Sequence, residues 1–380
     1  MPGNKPTNEK ISGFFNSGVV PFVKWPGGKS SELIKIELAM PKTQVNRYIE
    51  PFLGGGSALL ALNTNIPAFA NDICPELISL YMSSEETTPN LQRELLKLAN
   101  FWNAVSSLEV QWSEIATSLM GENPDPAKVC KLIVKLLLPS LTDFQSEFTS
   151  EFERRLSKDL PTKLNRIAKI QVRKGRLLPH SEFTNNIEGS IRAAFYMSVR
   201  KRYNSSRTAS LYNDTRVADF FFLREYCYAS MFRFNSKGEF NIPYGGVSYN
   251  KKDFEVKIDR LYSTKTVSRL SNTTFFNLDF QDFLSKVKPV ELDFVFVDPP
   301  YDSDFTDYDS NEFRAKDQER LAKTLSSLKS KVMIVIGDTE LIRDLYKAPH
   351  WKIQEDHFTY KWTIKERNNR QKTHLTITNY

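Results

Sequence analysis

Short apolar runs and polar turns alternate through the first eighty residues in a pattern typical of an α/β sheet. Arg47–Glu50 predicts a strand, 51–56 a turn with three consecutive glycines, and 58–62 the start of a helix. A second strand, predicted at 68–70, ends at Asp72 and is followed by another helix. This order of strand, glycine turn, helix, strand, acid and helix indicates half of a nucleotide-binding sheet.

Between about 84 and 223 the pattern is different: the chain has many charged residues and is predicted to be mostly helical. Alternation at 239–249, around Pro243 and two glycines, suggests a hairpin. Strand signals resume at 274–277, 294–297, 332–336 and 373–380. We therefore predict an α/β fold with a Rossmann-like sheet in two parts, 1–84 and 256–380. A large, mostly helical insertion at 85–255, with a β-hairpin near 236–249, separates them.

Composition indicates a globular protein, because 40% of the 380 residues are hydrophobic and 12% are aromatic. No run approaches the ~20 apolar residues of a membrane span, and the first ten residues lack the apolar segment of a secretion signal. Three separated cysteines suit a reducing compartment, and four scattered histidines offer no metal-ligand spacing. We expect a cytoplasmic protein with no bound metal and no membrane association.

Positive charge is concentrated in the predicted insertion. The net charge is +7, and residues 151–216 contain fifteen Lys and Arg against six Asp and Glu. A concentrated basic face suits a polyanion, because each neutralised phosphate releases counterions. An ordinary solvated helix face has the same composition, so charge alone leaves both interpretations open.

The glycine turn would let a ligand approach the N-terminus of the helix that follows. A dinucleotide fingerprint needs a third glycine at Leu59, so an NAD site is disfavoured. Asp72 lies 18 residues after Gly54, at the end of the next strand, where a carboxylate can accept both ribose hydroxyls of a cofactor. Helix capping is the alternative for Asp72 alone. The turn and the acid together favour a nucleoside-bearing cofactor.

A second glycine turn, at 26–30, resembles a phosphate-binding loop only in part. That loop needs a glycine where the chain has Val23, so an ATPase is excluded. Lys24, Trp25 and Lys29 remain beside the first sheet elements. They could be packing residues, but two lysines and a tryptophan are unusual in a core.

Asp298-Pro299-Pro300-Tyr301 directly follows the apolar strand at 294–297. A carboxylate and a proline carbonyl at a strand end can accept both hydrogens of an exocyclic amine. Such an amine is conjugated with its ring, and two acceptors would turn its lone pair towards a methyl donor. Tyr301 could stack on a base flipped out of a duplex. A Pro-Pro turn that caps the strand is the structural alternative.

Asp279 and Phe280 follow the strand predicted at 274–277. An Asp beside a Phe can bind the amino group of an adenine while the ring packs on its face. Because such pairs are common elsewhere, this one counts only together with the other motifs.

Together, these motifs resemble the Dam-type family of DNA adenine-N6 methyltransferases. The order of cofactor motif, recognition insert and catalytic motif is similar to the α arrangement of amino-methyltransferases. The matching segments are Lys24–Lys29, Glu50–Ser57, Asn71–Ile73, Arg233–Asn235, Gly238–Asn241, Pro243–Gly245, Asp298–Tyr301 and His374–Tyr380.

This resemblance implies S-adenosyl-L-methionine as the cofactor and double-stranded DNA as the partner. The implied cofactor residues are Trp25, Lys29, Pro51, Phe52, Gly54, Gly55, Gly56, Ser57, Asp72, Ile73, Asp279, Phe280 and Asp298. The implied catalytic residues are Asp298, Pro299, Pro300 and Tyr301. The implied DNA-binding residues are Lys24, Arg200, Lys201, Arg202, Arg233, Asn235, Lys237 and Tyr244.

Two departures bear on the target sequence. Ala229-Ser230 stands where family members often have Asn-Gly, and the insert is larger than in compact members. GATC is therefore not assumed as the recognition site. We expect a monomer and leave a cognate restriction endonuclease, without direct contact, as one biological context. A cytosine-N4 methyltransferase, an RNA methyltransferase and a non-catalytic DNA-binding protein on the same fold are the alternatives.

Overall fold

The computed structural model describes residues 14–15, 17–85, 89–108, 112–119, 125–206, 213–300, 313–359 and 371–380. The chain divides into two compact units. Unit 1 is Met1–Glu85 with Ser263–Tyr380, and unit 2 is Glu86–Tyr262. Over the described ranges, no helix is both long and apolar enough to span a bilayer.

The middle of the chain is helical, as its sequence pattern predicts. Helices α1–α3 and α11–α14 belong to unit 1, and α4–α10 belong to unit 2. Among the described residues the helices are α1 Leu33–Ala39, α2 Ser57–Ala61, α3 Pro75–Glu85, α4 Pro89–Ser107, α5 Trp112–Ser118, α6 Pro126–Leu137, α7 Ser146–Lys174, α8 His180–Ser205, α9 Asp214–Tyr226, α10 Glu255–Leu261, α11 Thr264–Ser271, α12 Phe280–Val287, α13 Ala315–Ser326 and α14 Glu340–Leu345.

In its described part, unit 1 is built on one seven-stranded sheet of order β3-β2-β1-β4-β5-β7-β6. Strands β1 to β5 are parallel, and β7 pairs antiparallel with both β5 and β6. The strands are β1 Arg47–Glu50, β2 Ala68–Asn71, β3 Thr273–Phe276, β4 Asp293–Val297, β5 Lys331–Gly337, β6 Lys352–Thr359 and β7 Gln371–Thr378. The α/β fold with a Rossmann-like sheet is confirmed.

The central strands β4 and β5 are mostly apolar because they are buried on both faces of the sheet. β4 is buried at all five positions, and its side chains pack with those of β5 and β7 against α12, α13 and α14. β1 pairs with β2 on one side and with β4 on the other. The loops that follow these three strands therefore leave the same edge of the sheet, side by side.

Of the two strands at the antiparallel end of the sheet, β7 is predicted by the sequence pattern and β6 is not. β7 was predicted from residues 373–380 and is confirmed. β6 was not predicted, because it lies at the sheet edge, is largely exposed from Lys352 to Glu355, and so lacks an apolar pattern.

Unit 2 packs α7 along α8 and α4 against α9. Aromatic rings fill its interior. Phe101 stacks on Phe195 with ring centroids 3.9 Å apart, and the rings of Trp102 and Tyr226 are 4.0 Å apart. Contacts between aromatic rings are therefore a main part of the packing inside unit 2.

The β-hairpin predicted near 236–249 overlaps a short antiparallel segment that lies slightly earlier in the chain. A tight turn forms at 233–241, with one isolated bridge between Phe234 and Phe240. Asn235 Oδ1 accepts the backbone N–H groups of Lys237 and Glu239, at 3.0 and 2.9 Å, and so shapes the turn. Beyond it, Pro243 has no N–H to donate to a ladder, and Val247–Tyr249 forms a 3₁₀ turn.

Candidate active site

The glycine turn after β1 is closely packed against an aromatic residue. Gly54 has φ +50°, and a Cβ atom there would lie 2.8 Å from Trp25 Cδ1. Gly56 has φ +64°, and a Cβ atom there would lie 2.5 Å from Tyr81 Oη. Any side chain would therefore be both strained and in collision, which explains the glycines at these two positions.

Asp72, just beyond β2, is tied to this turn. One carboxylate oxygen, Oδ2, accepts the Gly54 N–H at 2.8 Å, and Oδ1 accepts the Cys74 N–H at 2.9 Å. Burial raises the pKa of Asp72, while backbone N–H groups of Cys74, Gly54 and Ile73 oppose that rise. The contact to Cys74 is an Asx turn directly before α3 and not a bond to an N–H group within that helix. The contact to Gly54 joins the acid to the glycine turn.

Asn71 joins three loops, a role that sequence reasoning missed. The side chain is buried, and its Nδ2 donates to the carbonyl oxygens of Pro51 and Leu278, each at 3.0 Å. Its Oδ1 accepts the Leu278 N–H at 2.9 Å. An amide at a strand end directly before a candidate acid was the signal that could have revealed it.

Asp279 already has a strong partner. Arg320 donates to both of its carboxylate oxygens, at 2.9 and 2.8 Å, and the Gln281 N–H donates to Oδ1 at 2.9 Å. Phe280 is buried, and its ring lies 5.6 Å from the ring of Phe52, centroid to centroid. The Arg320 guanidinium also lies over Phe280, 4.4 Å from its centroid. The structure thus brings Phe52, Asp279 and Phe280 together, and adds Arg320.

Asp298 forms an ion pair with Lys29, at 2.6 Å between Lys29 Nζ and Asp298 Oδ1. Lys29 is only 2% exposed, and its Nζ also donates to the Gly27 carbonyl at 2.9 Å. Burial raises the pKa of Asp298 to about 6, and the charge and hydrogen bond of Lys29 oppose this rise. Lys29 is therefore more than a packing residue, because its buried ammonium group pairs with the acid of the candidate catalytic motif.

A second buried pair lies close enough to influence Asp298. His374 Nδ1 and Glu32 Oε2 are 3.1 Å apart, and both side chains are largely shielded from solvent. Glu32 raises the pKa of Asp298, and His374 lowers it, through charge alone. His374 belongs to β7, so the antiparallel end of the sheet also contributes to this site.

A side chain of α13 holds the start of the loop after β4 by a hydrogen bond. Gln318 is fully buried, and its Nε2 donates to the Pro300 carbonyl at 3.0 Å. Pro299 is buried and Pro300 is exposed. Tyr301 lies outside the described residues.

The other predicted cofactor residues of unit 1 lie around the same sheet edge. Ser57 is buried, and its Oγ is 3.3 Å from the Oγ of Ser30. Ile73 is 54% exposed. Lys24, which was predicted to bind DNA, lies in the same unit and is half-buried. Glu50, at the end of β1, accepts the Tyr48 hydroxyl at 3.0 Å, and burial raises its pKa well above the usual range.

Unit 2 contains most of the predicted DNA-binding residues. Arg233 and Lys237 lie in the tight turn at 233–241, and Asn235 shapes it. Arg200 supports the end of that turn, because its guanidinium donates to the carbonyls of Asn241 and Ile242 at 2.9 and 3.2 Å.

Three further predicted DNA-binding residues have partners within unit 2. Lys201 is 56% exposed and pairs with Glu151 at 2.8 Å. The Tyr244 hydroxyl donates to Asn250 Oδ1 at 2.7 Å. Arg202 is mostly buried, pairs with Asp219 through two hydrogen bonds and lies over the ring of Phe148. A phosphate could reach Arg202 only if that pair opened.

Residues 25–116 and 143–361 match the family model described as D12 class N6 adenine-specific DNA methyltransferase. The chain belongs to this family. Its membership confirms the Dam-type resemblance, and the assignment of a DNA adenine-N6 methyltransferase follows from it. The cytosine-N4 alternative is not favoured.

Three relatives illustrate the similarity of this methyltransferase to known proteins. Type II methyltransferase M.MjaIII of Methanocaldococcus jannaschii is 30% identical over 319 residues, which cover 80% of this chain and 78% of the relative. Type II methyltransferase M.CviBI of Paramecium bursaria Chlorella virus NC1A is 34% identical over 162 residues, 42% of this chain and 60% of the relative. A DNA adenine methylase of Serratia marcescens is 34% identical over 185 residues, 46% of this chain and 62% of the relative.

Proposed function

We propose that this methyltransferase uses S-adenosyl-L-methionine to methylate the N6 amine of an adenine flipped out of duplex DNA. The observation that carries the proposal is the pair of buried Lys29 with Asp298 at the end of β4, at the same sheet edge as the glycine turn and Asp72. This edge joins a candidate cofactor pocket to a candidate amine acceptor.

The residues present fit the cofactor. Gly54 and Gly56 adopt positive φ and so allow the tight turn after β1, and Asp72 holds that turn from the next strand. We assign the ribose to Asp72 and the adenine ring to the surface of Phe52 and Phe280, with Asp279 at its edge. Trp25, Lys29, Pro51, Gly55, Ser57 and Ile73 complete the proposed pocket. When bound, the cofactor supplies an electrophilic methyl group.

Asp298 is assigned as the acceptor for one N6 hydrogen and the Pro299 carbonyl as the acceptor for the other. Lys29 bonds Oδ1, so we assign Oδ2 to the amine. With the cofactor bound, the amine nitrogen would bond to the methyl carbon as the sulfur leaves as a neutral thioether, and the proton lost from the nitrogen would pass to the Asp298 carboxylate. Charge that develops on the nitrogen is stabilised by a carboxylate that is already oriented. Pro300 is held by Gln318, and we assign Tyr301 to stack on the base.

For DNA binding we assign the tight turn at 233–241, with Arg233 and Lys237 as its cations and Arg200 as its support. Lys24, Lys201, Asn235 and Tyr244 stay predictions. We leave Arg202 out of the interface because Asp219 and Phe148 already engage its guanidinium. Arg233→Ala should weaken DNA binding more than cofactor binding, and an unchanged DNA affinity would contradict this assignment.

The test of the whole proposal is nucleoside analysis of DNA incubated with the enzyme and methyl-labelled S-adenosylmethionine. Labelled N6-methyladenine is expected from the wild-type enzyme and none from Asp298→Ala. Label in N4-methylcytosine, or in RNA alone, would overturn the proposal. Sequencing methylated DNA from an expressing host then identifies the target sequence. We also propose that the enzyme acts as a monomer, and the type II names of two relatives favour a restriction-modification context.

A further inference from the structure

The outer face of α7 carries a row of positive side chains that the proposed mechanism does not use. Arg154, Lys158, Arg166, Lys169 and Arg173 are all exposed. With 3.6 residues per turn, their spacing confines them to an arc of about 120° on one side of the helix. They extend over about 28 Å of helix length at 1.5 Å per residue. We call these five residues the α7 row.

The opposite side of α7 faces the core of unit 2. Its buried residues are Phe152, Leu156, Leu160, Leu164, Ile167 and Gln171. Thr162 and Asn165 lie within the arc of the α7 row, and Val172 is an exposed apolar residue there. The face is therefore polar and cationic. It lacks the apolar stripe by which a helix binds a membrane surface or a partner groove.

The charge of the α7 row is poorly neutralised within the protein. Arg154 pairs with Glu151, but this single carboxylate also takes Arg155 and Lys201. Over the residues that the structure describes, Lys158, Arg166, Lys169 and Arg173 make no salt bridge. Like charges three and four residues apart destabilise a helix. A polyanionic partner would remove this repulsion.

Duplex DNA fits the geometry of the row. It carries a phosphate charge about every 1.7 Å along its axis, and the row is nearly as long as one helical turn of duplex, about 34 Å. Lys and Arg side chains on the outer face of a helix can contact phosphates without reaching base edges, so such a contact contributes affinity without sequence preference.

We propose that the α7 row binds the phosphate backbone of duplex DNA through charge, independently of the target sequence. The inference rests on the proposed function, because it takes DNA as the substrate. It adds a sequence-independent anchor to the turn at 233–241.

The test compares two triple variants with the same loss of charge. One is Arg166→Gln, Lys169→Gln and Arg173→Gln in the α7 row. The other is Lys128→Gln, Lys131→Gln and Lys135→Gln, three exposed positions on α6 of the same unit. Glutamine keeps a helix propensity close to that of lysine and arginine. The dissociation constant of a 30-base-pair duplex of arbitrary sequence is measured for the full-length proteins over a range of KCl concentrations.

The association constant falls as salt rises, and each lost phosphate contact makes the slope of log K against log salt shallower by about 0.9. The α7 variant should therefore lose about 2.7 from the wild-type slope, and the α6 variant should keep it. Equal slopes for both variants would overturn the inference, since net charge would then explain any change. The single variant Lys169→Gln provides a second measurement, in which the magnitude of the slope is expected to decrease by about 0.9. Failure of the proposed function would appear separately, as absence of labelled N6-methyladenine with the wild-type enzyme.

Discussion

Asp72 and Asp298 are two acids at the same edge of one sheet, held in different ways. Asp72 follows β2 and accepts two backbone N–H groups, from Gly54 and Cys74. Asp298 follows β4 and is paired with the side chain of Lys29. Burial raises the pKa of both carboxyls. Their positions are alike, but Asp72 is buried while the Asp298 side chain is 21% exposed, and their partners differ.

The difference in partners indicates different roles. Backbone N–H groups within packed turns cannot move away without local unfolding, so Asp72 is suited to fixing the shape of the cofactor turn. A lysine side chain has four rotatable bonds and can adjust while the backbone stays in place. Asp298 can therefore exchange or share its hydrogen bonds when an amine arrives, which a catalytic acceptor must do.

The largest expected effect is the loss of the Asp298 carboxylate. Asp298→Ala should lower kcat by at least about 100-fold, the usual scale for removal of one preorganised electrostatic group. Cofactor binding through Asp72 should be largely retained, because the turn does not depend on Asp298. Single-turnover methylation and calorimetric titration of cofactor measure the two quantities separately.

Asp298→Asn is the matched control for this change. It keeps the shape and one acceptor oxygen but removes the charge, so its rate should lie between wild type and Asp298→Ala. Wild-type turnover in either variant would show that the two acids do not differ as described.

A smaller effect is expected at Asp72. Asp72→Ala removes a charge-assisted hydrogen-bond acceptor at a net cost of roughly 1.5–3 kcal/mol, so cofactor affinity should fall by about 10–100-fold. The rate at saturating cofactor should change much less. If kcat fell as far as in Asp298→Ala while affinity stayed constant, Asp72 would not be a scaffold for the cofactor turn.

Much of this sheet edge was predictable because β2 and β4 are short, mostly apolar runs followed at once by an acid, and β1 leads into the glycine turn. β1, β2 and β4 were all recognised in this way, and with them Asp72 and Asp298 as candidate site residues. Parallel strands place their carboxyl ends together, so the proximity of these acids follows from the fold class.

Pairing between distant parts of the chain was not predictable. Lys29 and Asp298 are 269 residues apart, and no local pattern records which cation meets which acid. The same holds for Glu32 with His374 and for Arg320 with Asp279. In unit 2, the alternation at 239–249 indicated a hairpin, but side-chain hydrogen bonds of Asn235 shape a turn nearer to Arg233. The roles assigned to individual site residues stay predictions.

The pH dependence of methyl transfer tests the raised pKa of Asp298. Only the carboxylate accepts the amine hydrogen effectively, and its pKa is raised to about 6. The rate should thus be constant well above pH 6 and fall tenfold for each pH unit below it. Single-turnover rates between pH 5 and 8, with cofactor and DNA saturating, provide the measurement. A flat profile over this range would mean that Asp298 does not titrate there.

The smallest expected effect is a shift of that profile in Lys29→Met. Burial raises the pKa of Asp298, and the charge and hydrogen bond of Lys29 hold it down. Methionine has a similar length but no charge, so without Lys29 the pKa should rise above 6 and the loss of activity should begin at higher pH. Lys35→Met provides the control, because Lys35 is largely exposed and pairs with Asp356 instead. An unchanged midpoint in Lys29→Met would mean that Lys29 does not set the charge of the acceptor. In that case the proposed difference between Asp72, which is held by backbone N–H groups, and Asp298, whose charge is set by the Lys29 side chain, would be wrong for Asp298.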